Sequence, residues 1–165
     1  KDNAQVNGIE VPGGSSPPPS SVQINCGGPA VSPFVADTDF TGGTVVTHVN
    51  TIDTSGVSNP APVAVYQSNR FGNFTYAIPN LTAGKTYTVH LHFAETYWTA
   101  VGQRIFNVSI NGTQVLTNFD IIAAAGAANK AVVEQFTATA DSTGKITLQF
   151  TTVKDNAQVN GIEIM

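Results

Sequence analysis

The chain holds a single tryptophan, and it lies next to a tyrosine in Glu95-Thr96-Tyr97-Trp98. The stretch before it alternates apolar and polar residues as a strand does, so the pair falls where the strand runs out into a loop. Two adjacent loop aromatics cannot easily both enter one core, and loops on a rigid scaffold are where binding residues collect. Flat aromatic faces suit the apolar C–H face of a sugar ring, while nearby carboxylates or amides take its hydroxyls. The competing reading makes Trp98 a plug at the end of the fold. His90 and His92 alternate on one strand face, the spacing of a metal pair. A zinc site wants a third ligand, and His48, the other histidine, is far away in sequence; polar side chains on an outer strand face are the better reading. Asp37 and Asp39 are spaced to ligate calcium but lack the rest of an EF-hand loop. A loop bonding its own backbone accounts for them better, and a structural Ca²⁺ is the one cofactor the chain suggests.

Other chemistries find less support. Glycoside hydrolysis needs two carboxyls flanking the bond, and Glu95 and Asp155 could converge only through tertiary folding. The chain has no G-x-S-x-G nucleophile elbow and no glycine-rich phosphate cradle with a lysine. Cys26 has apolar neighbours and reads as a buried, inert thiol; alone, it allows no intrachain disulfide. Sequons at Asn73, Asn80, Asn107 and Asn111 read as incidental in a chain rich in Thr and Asn. Seven Lys and Arg in a chain of net charge −4 cannot build the basic stripe that nucleic acid requires. No run of 18 apolar residues writes a membrane span. The chain starts on Lys1 with no apolar signal segment, which suggests a mature or excised piece.

The elements that must position these residues are strands. From Lys85 to Glu95, the longest expected strand, Tyr87, Val89, Leu91 and Phe93 share one face. Val22 to Cys26, Ile105 to Ile110, Thr113 to Leu116, Val132 to Ala140, Ile146 to Thr152 and Val159 to Ile164 supply the rest. Asn111-Gly112 is a hairpin turn. Ile121 to Ala128 allows one short helical turn, since Gly126 and the lack of a polar face forbid more. Short strands at regular spacing predict an all-β sandwich of two antiparallel sheets, with under about a tenth helix. Phe106, Val108, Ile110, Ile146, Leu148 and Phe150 should join the core face of the 85–95 strand.

The sequence also contains its own end twice. Residues 1–10 read KDNAQVNGIE, and residues 154–163 read the same. Residues 12–21 follow as a Pro/Gly/Ser linker. This divides the chain into 1–11, the last strand of a preceding repeat copy, 12–21, the linker, and 22–165, the domain. Neighbouring repeat copies are then expected partners, and a free copy of the strand could enter another molecule and build head-to-tail assemblies.

Several motifs, taken in order, are Ile24-Asn25-Cys26-Gly27-Gly28, Ala36-Asp37-Thr38-Asp39-Phe40, Tyr66-Gln67-Ser68-Asn69-Arg70-Phe71 and His90-Leu91-His92-Phe93-Ala94-Glu95. Further on come Gly102-Gln103-Arg104-Ile105-Phe106-Asn107-Val108, Ile110-Asn111-Gly112, Asn118-Phe119-Asp120-Ile121 and Asn160-Gly161-Ile162-Glu163-Ile164. With these the chain resembles the malectin family over nearly all of residues 22–165. The resemblance implies a galactose-binding-like jelly-roll β-sandwich that binds carbohydrate, without catalysis, in a pocket of loops at one end. By position it implies that Phe71, Tyr97 and Trp98 stack on sugar rings and that Asp155 accepts their hydroxyls. Tyr66, Arg70 and Glu95, from the same motifs, complete the candidate sugar-binding set. One further family aromatic has no counterpart, since residues 41–65 contain none and His48 is the nearest candidate. The expectation is therefore a non-enzymatic, extracellular module of a secreted bacterial protein, with oligosaccharide or polysaccharide as its partner. The alternative is a structural repeat of an extracellular fibre or adhesin stalk.

Overall fold

The computed structural model describes residues 21–165. The expected strand copy at 1–11 and the linker up to residue 20 lie outside the described residues. In chain order the elements are β1 (Val22–Asn25), β2 (Phe40–Thr47), α1 (Val63–Tyr66), β3 (Ser68–Ile78), β4 (Thr86–Ala94), β5 (Ile105–Ile110) and β6 (Thr113–Phe119). They continue as α2 (Ile121–Ala125), β7 (Ala131–Thr139), β8 (Ile146–Lys154), β9 (Gln158–Val159) and β10 (Gly161–Ile164). One antiparallel sheet runs β1-β10-β4-β7; the other runs β2-β3-β8-β5-β6, with β9 added along β3. The two helices hold four and five residues, so this is an all-β sandwich.

Alternation builds the core. Tyr87, Val89, Leu91 and Phe93 point from β4 into the space between the sheets and are all buried. From the other sheet they meet Phe106, Val108 and Ile110 of β5 and Ile146, Leu148 and Phe150 of β8, also buried. Asn111 and Gly112 turn β5 into β6 with φ of 49° and 79°, the left-handed pair a tight hairpin needs. The Asn111 side chain ties this turn down, donating to Thr139 O and accepting from Thr147 N–H. Asp120 caps α2 by accepting the Ala123 N–H at 3.0 Å, and Gly126 ends it in a left-handed conformation.

Four features depart from the sequence reading. The longest strand is β3, with 11 residues against nine in β4. Asn69, Gly72 and Asn73 break its alternation, and Gly72 takes a φ of 104°. The expected single strand from Val159 to Ile164 is two strands, β9 in one sheet and β10 in the other. The join is Asn160, fully buried, which accepts the Ala94 N–H and donates to Tyr66 O and Ser68 O. An amide that fills three buried backbone partners fixes the crossing point, and periodicity carries no trace of it. His90 and His92 do not share an open outer face. A second cluster, with Phe34, Ile52, Val65 and Tyr66, covers that side of β4 and leaves His92 only 1% exposed. Finally, Asp37 does not bond its own loop. Its Oδ2 accepts from Arg70 Nε and Nη2 and its Oδ1 from the Tyr76 hydroxyl, so protein donors occupy both oxygens of the calcium candidate.

Candidate functional site

Neighbouring strands of the larger sheet lay the floor of the site. Asn69 and Phe71 stand two apart on β3 and so share a face. Val46 of β2 pairs opposite Asn69, and Gln158 of β9 pairs opposite Phe71. Directly opposed residues in an antiparallel pair project to the same side, so these four form one patch. The walls come from segments at the same end of the sandwich. They are the loop after β4 with Tyr97 and Trp98, Arg104 just before β5, Asp155 and Asn156 between β8 and β9, and His48 just after β2. Together they enclose a cavity of about 360 Å³. Small-ligand sites run from about 300 to 1,000 Å³, so this one falls at the lower end.

A buried ion network holds the walls. Glu95, 1% exposed, accepts from Arg104 Nε at 2.5 Å, and its Oε1 accepts the backbone N–H groups of Tyr97 and Trp98 at 3.0 and 3.1 Å. The carboxylate thus aims the aromatic loop. Arg104 Nη1 also lies 3.1 Å from Asp155 Oδ2 and donates to Asn156 O. Trp98 Nε1 donates to the same Asp155 oxygen at 2.7 Å. Asp155 takes a φ of 55°, a left-handed conformation that Asp tolerates better than most residues. The tyrosine ring stands edge-on to the indole, 4.8 Å between centroids, and remains 69% exposed. Trp98 and Phe71 are half-buried, and both line the cavity. Asn69 is 2% exposed, and its Oδ1 has no hydrogen-bond partner among the described residues. A buried acceptor without a partner in a cavity wall is an unmet hydrogen bond that a ligand donor can fill.

Of the seven candidates, Phe71, Tyr97, Trp98 and Asp155 line this cavity. Tyr66, Arg70 and Glu95 do not. Tyr66 is fully buried in the second cluster, its hydroxyl accepting the Ala61 N–H and lying 2.9 Å from His92 Nδ1. Burial pushes that phenol up to about 12. Arg70 pairs with Asp37, and its guanidinium lies 3.3 Å from the Phe40 ring centroid. Glu95 sits behind the wall and touches the aromatics only through their backbone. Sequence reasoning missed Val46, Asn69, Arg104, Asn156 and Gln158. Strand pairing brings most of them in, and only the placement of Arg104 nine residues past Glu95 offered a local signal. The Cys26 thiol is buried, and burial raises its pKa far above the usual thiol range. Among the described residues, no group of three or more His, Cys, Asp or Glu is arranged to hold a metal ion.

Comparison with known proteins places this geometry in context. A model of the Malectin domain family matches residues 20–162. A kinesin-like protein of Oryza sativa subsp. japonica, KIN-14E, is 31% identical over 153 residues, covering 84% of this chain and 14% of that protein. Malectin-B of Xenopus laevis is 36% identical over 66 residues, 39% of this chain and 24% of that protein. The ANX2 ectodomain of Arabidopsis thaliana superposes with a TM-score of 0.76 at 21% identity, over 87% of this chain and 48% of that one. A structure of the plant peptide RALF23 in complex with FER and LLG2 gives 0.76 at 23% identity, over 87% of this chain and 47% of the matched one. At such identities these two show the shared fold alone. The chain spans a small part of its sequence relatives and about half of the solved ectodomain chains. These relatives come from plants and Xenopus, whereas the sequence alone suggested a bacterial source.

Proposed function

The chain belongs to the malectin domain family, and from that premise we propose that it is a non-catalytic carbohydrate-binding module of an extracellular protein. The observation that carries this reading is one cavity in which three aromatic rings stand beside an aspartate and an unpartnered amide oxygen. Aromatic faces take the apolar side of a sugar ring. Asp155 Oδ1 and Asn69 Oδ1 accept its hydroxyls, and His48, the nearest candidate for the family's further aromatic, also lines the cavity.

Catalysis is a poor fit for the same site. Its two carboxylates, Glu95 and Asp155, both engage Arg104, and Glu95 is buried behind the wall. A glycosidase needs two carboxyl groups flanking the scissile bond, and of these two only Asp155 lines the cavity. A glycan array on residues 22–165 tests the reading. Binding of a defined glycan class, lost on Tyr97→Ala, supports it; an array without binding, or hydrolysis of a bound glycan, overturns it. The ten-residue identity favours a second feature, a repeat array in which several such modules stand in series.

A further inference from the structure

The fold treats the sequons at Asn73, Asn80, Asn107 and Asn111 differently. Asn107 lies inside β5, between β6 and β8, and its Oδ1 accepts the Asn118 N–H at 2.7 Å. Asn111 aims its nitrogen back at the protein: Nδ2 donates to Thr139 O at 2.8 Å, and Oδ1 accepts the Thr147 N–H. Asn73 lies within β3, where its Oδ1 accepts the Thr152 N–H of β8 at 2.8 Å. Asn80 stands apart from all three. It sits in the turn between β3 and β4, is exposed, and its amide forms no hydrogen bond among the described residues. Its φ of 62° is a left-handed value that Asn tolerates better than most residues. The turn is pinned by its other members. Leu81 is buried in the core and its N–H donates to Gly144 O, while the Gly84 N–H donates to Ala140 O. Thr82 donates its backbone N–H to the Tyr87 hydroxyl and stays exposed.

We propose that Asn80 is an N-glycosylation site of this chain. An Asn-x-Thr acceptor belongs on a surface loop, and of the four sequons Asn80-Leu81-Thr82 alone combines a turn position with an unbonded amide. The co-reactant is a polyprenyl-diphosphate-linked oligosaccharide of the secretory lumen. Asn80 Nδ2 attacks C1 of its first sugar. The C–N bond forms as the bond from C1 to the diphosphate oxygen breaks. The nitrogen gives up one proton, and the polyprenyl diphosphate leaves with the electron pair. The core has nothing to yield, because Leu81 holds the turn in place while Asn80 and Thr82 face outward. The site also lies at the end of the sandwich away from the cavity. β3 starts at the cavity floor with Asn69 and Phe71, and β4 runs back from the turn to the aromatic loop. From Phe71 to Ile78 the strand spans roughly 20 Å, so a glycan on Asn80 leaves the cavity mouth uncovered. The inference rests on the extracellular reading, not on sugar binding.

The test secretes the full chain from a eukaryotic cell behind a signal segment and reads its intact mass before and after peptide N-glycosidase. The supplied signal takes the chain through the lumen in any case, so the outcome is separate from the extracellular reading. The expected result is one oligosaccharide per chain, released by the enzyme. The deamidation that the enzyme leaves should map by peptide fragmentation to Asn80 and not to Asn73. Asn80→Gln and Thr82→Ala should each be secreted without the sugar. Thr82→Ala keeps the left-handed asparagine, so it reads the sequon without straining the turn. A secreted parent that carries no glycan overturns the proposal, as does a glycan that sits on Asn73, Asn107 or Asn111 and persists in both variants.

Discussion

Two of the buried polar networks among the described residues differ in one respect: that at the loop end borders a cavity lined by aromatic rings. At the loop end, Glu95, Arg104 and Asp155 hold Trp98 and Tyr97 around about 360 Å³ of space. On the outer side of β4, Tyr66, His92, Glu163 and His90 form a second chain. Tyr66 OH lies 2.9 Å from His92 Nδ1, and Glu163 lies 3.6 Å from His92 and 3.4 Å from His90. Gln23 donates to Glu163, and Gln135 meets the far nitrogen of His90. This second group is just as rich in titratable side chains and leaves His92 Nε2 buried without a hydrogen-bond partner among the described residues, but Phe34 and Tyr66 pack on His92 and no open aromatic ring borders it. Buried charge and histidine mark structure as readily as function. What distinguishes the first network is aromatic surface left in the open beside an acceptor without a partner.

The sharpest way to break this contrast is Arg104→Ala. It leaves Glu95 and Asp155 without their shared cation, and removing one member of a buried ion pair costs about 3–5 kcal/mol. Urea unfolding should show that loss. A stability change under about 1 kcal/mol would mean the network does not hold the wall. Trp98→Ala comes next and should weaken sugar binding by about 1–3 kcal/mol, the range of a packed aromatic anchor. Its fold should survive, since the indole is half-buried and outside both core clusters. A collapsed circular-dichroism spectrum would make it the plug that the sequence also allowed.

The second network should respond to acid and leave binding untouched. Contact with His92, working against burial, holds the Glu163 carboxyl below its ordinary 4.5. A carboxyl whose folded value lies below its unfolded one stabilises fully above about pH 4.5 and loses that contribution as pH falls through the folded value. Melting temperature followed from about pH 6 to pH 3 should therefore drop less steeply in Glu163→Gln than in the parent, with equal glycan affinity at neutral pH. An affinity change in that variant would join the two networks that the structure separates. The smallest effect is expected from Phe71→Tyr, which adds a hydroxyl on the cavity floor. It should alter affinity by under about 1 kcal/mol and stability by about 0.5 kcal/mol or less.

Period-two patterning reads well where one face is buried and the other wet. That is why β4, β5 and β8 and the core residues they supply were legible, from Tyr87 to Phe150, while Phe74, Tyr76 and Ile78 of β3 were not. It fails at β3, where Asn69, Arg70 and Phe71 serve the cavity and an ion pair instead of the core. It fails again at Asn160, whose role is to satisfy backbone groups 66 and 92 to 94 residues away. The aromatic loop was legible because Tyr97 and Trp98 stand outside any alternation. The floor of the cavity was not, because Val46, Asn69 and Gln158 meet only through strand register. Arg70 shares a motif with Asn69 and Phe71 but points the other way, since neighbours on a strand face opposite ways; Tyr66 ends α1 in the second cluster, and Glu95 turns back from the loop after β4 to Arg104.

Trp98 and Asp155 line the cavity, and we propose that they form the wall of a sugar site. Trp98 is the chain's single tryptophan, so its fluorescence reports on that wall alone. Titration of residues 22–165 with glucose and galactose oligomers should give a saturable change in emission, abolished by Asp155→Ala in a protein that remains folded. Emission that stays flat across oligomers which the same protein retains on an affinity column would place binding elsewhere and contradict the account.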